Sequence, residues 1–411
     1  MQPRSLGMAL LGAAAALGLS GTASAQMELP PGPGRDIVAN SCNSCHEVER
    51  IRAGYTPEGW RTVMTMMHNF GVRIAPDDLP VVTAYLAQHF PERPRPPAAI
   101  ISGPVQATIR TWPVSTPGSR PHDPMAARDG SVWWTGQLAN TLGRLDPATG
   151  QAREYPLNPY TGPHGLVEDR DGNVWFTGNF AALIGRLDPR TGEVTEYRID
   201  NPEVPDPHTL LIARDGIVWF TAQRGNTLGR LDPATGQMRL VTSPTANSRP
   251  YGMALDSKGE IWFVEFGVNR IATIDRQTMA IREFMLPDAG ARPRRLAIGP
   301  DDMIWYTDHA RGFLGRLDPR TGEVKEWQSP SGPRSQPYGI VFTQGAVWYS
   351  ESAAAPNTMV RFDPATERFQ TWAIPGGGDI VRNMDVAPNG NPVMAHSLAN
   401  WVGMVDIRGP Q

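Results

Sequence analysis

Residues 162–197 read GPHGLVEDRDGNVWFTGNFAALIGRLDPRTGEVTEY, and this stretch decides the fold of most of the chain. It holds four short strand-like runs separated by Asp-Gly, Gly-Asn and Asp-Pro-Arg-Thr-Gly turns. Related copies follow from about residue 105 to the end, with 42 to 44 residues between equivalent positions. A four-strand unit with a period of about 40 residues predicts an all-β seven-bladed propeller. The equivalent residues that open the seven copies are His122, His164, His208, Tyr251, Arg294, Tyr338 and Arg382.

The seventh copy ends near residue 408 without a clear fourth strand. Residues 107–113, which precede the first copy, have the character of that missing strand. We therefore expect this N-terminal strand to complete the last blade and close the ring, which removes an exposed sheet edge.

The first 26 residues have the organisation of an export signal. Arg4 supplies the basic region, an apolar run follows, and Ala23 and Ala25 form an A-x-A cleavage site before Gln26. The run is shorter than the ~20 residues that span a bilayer, although an uncleaved membrane anchor is the alternative. We expect a mature protein without a transmembrane anchor, exported to the periplasm.

Cysteine usage points to a covalent cofactor. The chain has two cysteines, Cys42 and Cys45, and His46 follows the second one directly. The Cys-x-x-Cys-His string is the attachment signal of c-type haem, in which the two thiols bond the porphyrin and the histidine ligates iron. A thioredoxin-type dithiol is the alternative, but it requires a βαβ context that this sequence lacks.

The region around this string predicts a small all-α cytochrome c domain at residues 27–92, with a Pro-rich linker at 93–104 and the propeller at 105–411. One helix precedes the haem motif, Pro57 begins another, and Asp78 precedes the last. Four prolines between 91 and 97 predict a stiff spacer between domains.

The sixth iron ligand is expected in the segment after Trp60. This segment resembles small class I cytochromes, in which a Met follows the Trp by seven residues and a Gly comes four residues later, and that spacing selects Met67 as the metal ligand. A thioether ligand raises the potential of the iron and suits electron transfer. His68 is the alternative ligand, and a bis-His haem would have a lower potential.

The net charge is −3 and 19 % of the residues are charged, so no uniform field predicts a nucleic-acid partner. A redox partner protein and a small-molecule substrate at the propeller rim are the partners expected instead. The loop after the second strand of some copies adds polar residues to the expected rim: Glu265, Asp308, His309, Glu351 and His396.

The repeats resemble those of the streptogramin B lyase (virginiamycin B lyase) propeller family over about 300 residues. The shared text is the Pro-His/Tyr-Gly loop, the Asp-Gly-x-Val-Trp-Phe-Thr strand pair and the Ile/Leu-Gly-Arg-Leu strand. The resemblance implies a catalytic set on three successive blades: His164, Asp206, His208 and Tyr251. Asp206 stands where the family pattern has Glu, one methylene longer.

By the same resemblance, His208 is the general base that removes a proton next to a carbonyl. Mg²⁺ or another divalent metal near the carboxylate would polarise the ester. The alternatives are a copper or iron ion held by His122, His164 and His208, and a non-catalytic rim that binds an anion or a partner through Arg294 and Arg382.

Three functions remain open from the sequence. A periplasmic oxidoreductase component with one haem c is placed first, because an elimination needs no electron acceptor and would leave the cytochrome unexplained. A Mg-dependent carbon–oxygen lyase with an accessory cytochrome domain is the alternative. A pair of binding modules in a respiratory assembly is the third.

Overall fold

The computed structural model describes residues 27–42, 48–69, 71–377 and 380–408. Among these, the N-terminal part forms three α-helices and one short 3-10 helix. Their bounds are α1 (Arg35–Cys42), the 3-10 helix (Val48–Ala53), α2 (Pro57–Asn69) and α3 (Leu79–His89).

Helix α2 begins as the sequence predicts, because the Oγ1 atom of Thr56 accepts a hydrogen bond of 3.0 Å from the Gly59 amide and Pro57 occupies the first turn. The three helices share one core, in which Val38, Trp60 and Leu86 are buried. The Trp60 indole donates a 2.9 Å hydrogen bond to the Phe90 carbonyl and so ties α2 to the end of α3.

The rest of the described chain forms seven four-stranded antiparallel sheets, arranged as the blades of a propeller. The innermost strands are β2 (Pro121–Ala126), β6 (Pro163–Glu168), β10 (Pro207–Ile212), β14 (Pro250–Leu255), β18 (Pro293–Ile298), β22 (Pro337–Thr343) and β26 (Val381–Val386). The second strands are β3 (Val132–Gly136), β7 (Val174–Gly178), β11 (Val218–Ala222), β15 (Ile261–Glu265), β19 (Ile304–Asp308), β23 (Ala346–Glu351) and β27 (Pro392–His396).

The third strands are β4 (Thr141–Leu145), β8 (Leu183–Leu187), β12 (Thr227–Leu231), β16 (Arg270–Ile274), β20 (Phe313–Leu317), β24 (Thr358–Asp363) and β28 (Trp401–Arg408). The outer strands are β5 (Ala152–Pro156), β9 (Val194–Arg198), β13 (Met238–Thr242), β17 (Ile281–Met285), β21 (Val324–Gln328), β25 (Arg368–Ala373) and β1 (Gln106–Pro113). Strand β1 pairs with β28, with Gln106 opposite Arg408 and Pro113 opposite Trp401. The prediction that an N-terminal strand closes the ring is confirmed.

The repeated motif has a packing reason. Gly185 lies opposite Phe176, and a Cβ atom at this glycine would be 2.1 Å from the ring, so a side chain is sterically excluded. Trp175 stacks on Tyr197 of the outer strand at 5.6 Å between ring centroids. The aromatic residues therefore fill the space between neighbouring blades, where each buried side chain contributes about 1.5–3 kcal/mol.

Threonines of the second strands connect one blade to the next. The Thr177 hydroxyl accepts a 2.9 Å hydrogen bond from the Gly165 amide and donates a 2.7 Å bond to the His208 carbonyl of the following blade. Thr135 makes the same pair of bonds with Asp123 and His164. The backbone at the top of these innermost strands is thereby held in a fixed position.

The segment predicted as a spacer is attached to the propeller rather than free. The Ile101 amide donates a 2.7 Å hydrogen bond to the Thr371 hydroxyl, and the Thr371 amide donates to the Ile101 carbonyl at 2.9 Å. This occurs because the outer strand β25 has an edge with unpaired backbone groups, which the linker satisfies. No helix in the described part of the chain is long and apolar enough to cross a membrane.

Candidate functional site at the propeller mouth

Each innermost strand carries a β-bulge at its second and third residues. A bulge breaks the alternation of side chains, so consecutive residues can face the same side. The second residues surround the central channel, and we call them the mouth ring: His122, His164, His208, Tyr251, Arg294, Tyr338 and Arg382.

Four consecutive members of the mouth ring are in contact through tilted rings, and we call them the imidazole half: His122, His164, His208 and Tyr251. The ring centroids of His122 and His164 are 3.7 Å apart, and those of His164 and His208 are 3.6 Å apart. Tyr251 continues the series at 4.0 Å from His208. All four side chains are buried. The structure thus brings together three of the four residues that the resemblance implies.

The three histidines are neutral at ordinary pH. Burial lowers the pKa of His122 well below its usual value, and Arg382, Arg120 and Arg295 lower it further. Burial is also the main cause for His164 and His208, whose pKa values are well below normal. A neutral imidazole keeps one nitrogen lone pair, which can accept a proton or bind a metal.

Four of the seven third residues form a polar layer below the ring, and the other three are glycines; the polar four are Asp123, Thr209, Arg295 and Asn383. Arg295 donates two hydrogen bonds to Asp123, at 3.1 and 3.2 Å, and a third of 3.0 Å to the Thr209 hydroxyl. The same carboxylate lies 2.8 Å from His122 Nδ1 and accepts a 3.0 Å bond from Asn383. This layer holds the imidazole half from beneath. Sequence reasoning missed it, because strand alternation predicts that third residues point away from the channel.

The opposite side of the ring is the arginine half, formed by Arg294, Tyr338 and Arg382 with His309 beside them. The Arg294 guanidinium lies 4.5 Å from the Tyr338 ring centroid and 4.8 Å from that of Phe266. His309 is 5.4 Å from Tyr338, and its pKa falls to about 3 through burial and then through Arg294 and Arg382. The Arg382 Nε atom donates a 3.2 Å hydrogen bond to Ser397.

Two tyrosines join the halves. The hydroxyl oxygens of Tyr251 and Tyr338 are 2.5 Å apart. Burial raises the pKa of Tyr251, and so does the neighbouring Tyr338. Burial also opposes ionisation of Tyr338, but Arg294 and Arg382 outweigh it and lower the pKa of that phenol. Tyr251 therefore keeps its phenol proton at ordinary pH.

Asp206 does not face the imidazoles as a free carboxylate. It is buried, and both of its oxygens accept hydrogen bonds from the Arg224 amide, at 2.9 and 3.0 Å. The Arg224 guanidinium adds a contact of 3.3 Å. Burial raises the pKa of this carboxyl. Its observed contacts lock the loop after β11.

The acidic residues expected at the rim lie elsewhere. Glu265 hydrogen-bonds to Ser243 at the end of the preceding blade, and Glu351 accepts bonds from Ser329 and Ser331. Asp308 forms a 2.6 Å ion pair with Arg311. These residues end their strands on the face that packs against the previous blade. The next residue along reaches the mouth, as Phe266 and His309 show.

His396 also lies outside the mouth. Its ring stacks on Trp401 at 3.8 Å between centroids, inside the last blade, and the side chain is buried. Burial lowers its pKa to about 3. Of the five histidines expected at the rim, four therefore lie there: His122, His164, His208 and His309.

The donors at the mouth do not fit Mg²⁺, which prefers oxygen ligands. The Asp206 carboxylate already accepts hydrogen bonds from Arg224, and the Asp123 carboxylate from Arg295, so neither is available to Mg²⁺. Ligand atoms of His122, Asp123 and His164 all lie within 4.8 Å of one another, a spacing that a transition metal could use. The arginines that lower the pKa of His122 would repel a cation at the same point.

The predicted haem residues are only partly described, since Cys45 and His46 lie outside the described residues. Cys42 ends α1, and its half-buried side chain packs against the helical core, where burial raises the pKa of the thiol. Met67 is half-buried and follows the buried Trp60 and Met64 at helical spacing along α2, whereas His68 is exposed.

Helix α2 also contacts the mouth face of the propeller. Asn69 donates hydrogen bonds to the carbonyls of Pro117 and Gly118, at 3.0 and 3.2 Å, in the loop that enters β2. A Cβ atom at Gly118 would be 2.8 Å from the Thr65 side chain, so helix and loop are in close contact. The helical part therefore sits beside the imidazole half.

Comparisons with known proteins concern the propeller. Residues 98–409 match the Virginiamycin B lyase family, so the helical residues before 98 lie outside the match. A streptogramin B lyase structure is 26 % identical, with a TM-score of 0.67, over 74 % of this chain and 98 % of that one. Comparison with curated proteins gives no match.

A second solved structure carries chemical information about its own protein. It is a catalytically inactive histidine-to-alanine variant of virginiamycin B lyase from Staphylococcus aureus with quinupristin, 25 % identical, with a TM-score of 0.66, over 73 % of this chain and 99 % of that one. These matches favour the lyase hypothesis, and they give no support to an electron-transfer role. By its fold and by the match across the whole propeller, the chain belongs to the virginiamycin B lyase family.

Proposed function

We propose that the propeller is a carbon–oxygen lyase that opens an ester by elimination, with His208 as the general base. One observation carries the proposal: a neutral, buried imidazole stands in contact with His164 on one side and Tyr251 on the other, in a chain of this family. Catalytic bases are commonly neutral histidines with a nearby proton donor.

The reaction balances without a cofactor. An unprotonated ring nitrogen of His208 takes the proton on the carbon next to a carbonyl, and the C–H electrons move into the carbonyl system. As they return, a carbon–carbon double bond forms and the bond from the neighbouring carbon to the ester oxygen breaks. The products are an alkene and a carboxylate, and the imidazolium then loses its proton to solvent.

The neighbouring residues have separate tasks. The Thr209 hydroxyl lies 3.2 Å from His208 Nδ1 and is itself bonded to Arg295, so it orients the ring. The Tyr251 phenol holds its proton and lies against His208, where it can donate to the oxygen that gains charge. Hydrogen-bond donors of this kind stabilise the enolate in a water-poor site.

The test is an elimination assay on purified full-length protein with quinupristin and other cyclic ester depsipeptides, followed by mass spectrometry of the alkene product. We expect His208→Ala to lower kcat by about 10²- to 10⁴-fold, the usual contribution of a general base. His89→Ala is the matched control, because that histidine lies on α3 and packs against Tyr85. Equal activity of His208→Ala and wild type would refute the assignment.

A second function, electron transfer by haem c, is favoured by a specific observation. Met67 lies half-buried on α2 at helical spacing from Trp60 and Met64, while Asn69 on the same helix is bonded to the loop that enters the mouth. Cys42, Cys45 and His46 would hold the porphyrin and iron, and Met67 would be the sixth ligand. The bound group would supply one-electron redox chemistry. Such a protein would act in the periplasm with a redox partner.

This second function has its own test. Protein made in a host that matures cytochromes should carry one covalent haem per chain, detected after denaturation by its absorption spectrum. Met67→Ala should change the spectrum of the ligated iron, whereas Met66→Ala, at the neighbouring methionine whose backbone amide lies beside Gly118 of the propeller, should leave it unchanged. Colourless, iron-free protein from such a host would end the electron-transfer hypothesis and leave the lyase hypothesis intact.

A further inference from the structure

The arginine half carries positive charge that no carboxylate neutralises. Among the described residues, neither Arg294 nor Arg382 forms an ion pair with Asp or Glu, whereas Arg295 below them is paired with Asp123. The nearest expected acids are engaged elsewhere, since Asp308 binds Arg311 and Glu351 binds Ser331 and Thr358. Two buried or half-buried guanidinium groups thus share one side of the mouth.

The Arg294 guanidinium is surrounded by aromatic rings rather than by acidic side chains. Its guanidinium is bordered by the rings of Tyr251, Tyr338 and Phe266, with centroids 4.5 to 5.3 Å away. Its buried Nε atom has no hydrogen-bond partner in the described structure. The Tyr251 and Tyr338 side chains interact with the guanidinium but bring no carboxylate charge. Burying a cation without a counter-charge is costly, so a site of this kind is usually completed by an anion.

Arg382 approaches the same space from the next blade but one. Only Tyr338 separates the two arginines along the mouth ring, because its strand β22 packs between β18 and β26, and the Arg294 guanidinium lies 4.5 Å from the Tyr338 ring centroid. Both cations also lower the pKa of the Tyr338 phenol. A carboxylate or phosphate matches this geometry, because guanidinium groups bind such oxyanions with two parallel hydrogen bonds.

We propose that Arg294 and Arg382 form a clamp for an oxyanion of the substrate, so that the lyase acts on an ester that also carries a carboxylate or phosphate. The inference rests on the proposed elimination for the role of the clamp as a substrate anchor. It also accounts for the donor set at the mouth, where guanidinium groups supply the positive charge that a divalent metal would otherwise bring.

Calorimetric titration of the full-length protein with benzoate, inorganic phosphate and neutral benzamide tests the clamp without turnover. We expect at least one of the two anions to bind at least ten times more tightly than benzamide. The anion that binds more tightly shows whether the substrate group is a carboxylate or a phosphate. Arg382→Gln should weaken that binding by about 10- to 100-fold, the value of a charge-assisted hydrogen bond. Arg294→Lys should weaken it less, because the charge remains.

Arg282→Gln is the matched control, because Arg282 lies exposed on the outer strand β17 over Phe284. If benzamide binds as tightly as both anions, or if Arg282→Gln weakens anion binding as much as Arg382→Gln, the clamp is refuted. Repeating the titration with His208→Ala separates the two proposals. Anion binding that survives there supports the clamp even if elimination is never observed, and elimination without anion selectivity supports the lyase alone.

Discussion

The two halves of the mouth have the same backbone geometry but carry side chains of different charge. His164 and Arg294 occupy equivalent positions after a proline at the same bulge of the innermost strand. On one side the side chains are neutral imidazoles, and on the other they are permanent cations. The comparison shows that the backbone supplies only position. Burial is the main reason that His122 and His208 stay unprotonated, and the charge of Arg382 and Arg294 reinforces it.

The largest expected effect separates the halves by kinetics. His208→Ala should lower kcat by about 10²- to 10⁴-fold with little change in KM, because it removes the base. Arg382→Gln should raise KM by about tenfold or more and leave kcat nearer to wild type, because it removes a binding contact. Steady-state kinetics with one cyclic ester substrate that carries a carboxylate or phosphate measures both. Identical kinetic defects in the two variants would mean that the mouth does not divide into a chemical half and a binding half.

A smaller effect tests the layer that supports both halves. Arg295→Met leaves Asp123 as a buried carboxylate without its cation, which should cost about 3–5 kcal/mol of unfolding free energy. Urea denaturation measures the loss. The double variant Arg295→Met/Asp123→Asn should recover part of it, because the unpaired charge is then gone. A single variant as stable as wild type would show that the ion pair is not what holds the layer.

The smallest effect concerns acid. His309 and His396 have native pKa values of about 3, against about 6.5 in the unfolded chain. Between pH 6.5 and 3 the unfolded state therefore binds more protons, and stability falls as the pH is lowered. His396→Phe, which keeps the stacking on Trp401, should reduce this slope by about 1.4 kcal/mol per pH unit. Unfolding midpoints from pH 7 to 4 measure it, and parallel curves for variant and wild type would contradict the burial argument.

The sequence was sufficient to predict the propeller because the residues of its repeat make contacts within one blade or with the next one. Gly185 makes room for Phe176, and Thr177 links two blades, so each motif residue identifies a strand and its neighbour. The spacing of the copies located the mouth ring for the same reason. It also located the closing strand, because a ring of blades leaves one outer strand to be filled from the N-terminus.

The sequence did not locate the polar layer or the fate of the acids, because both depend on tertiary contacts. A bulge turned Asp123 and Arg295 into the channel, and strand alternation turned Glu265 toward the preceding blade. Asp206 matched a motif by position but is engaged by Arg224 from a loop eighteen residues away. Spacing along the chain determines which residues share a ring. Only the tertiary structure determines which of these residues keep an unneutralised charge, because it brings each buried carboxylate next to its hydrogen-bond or ion-pair partner.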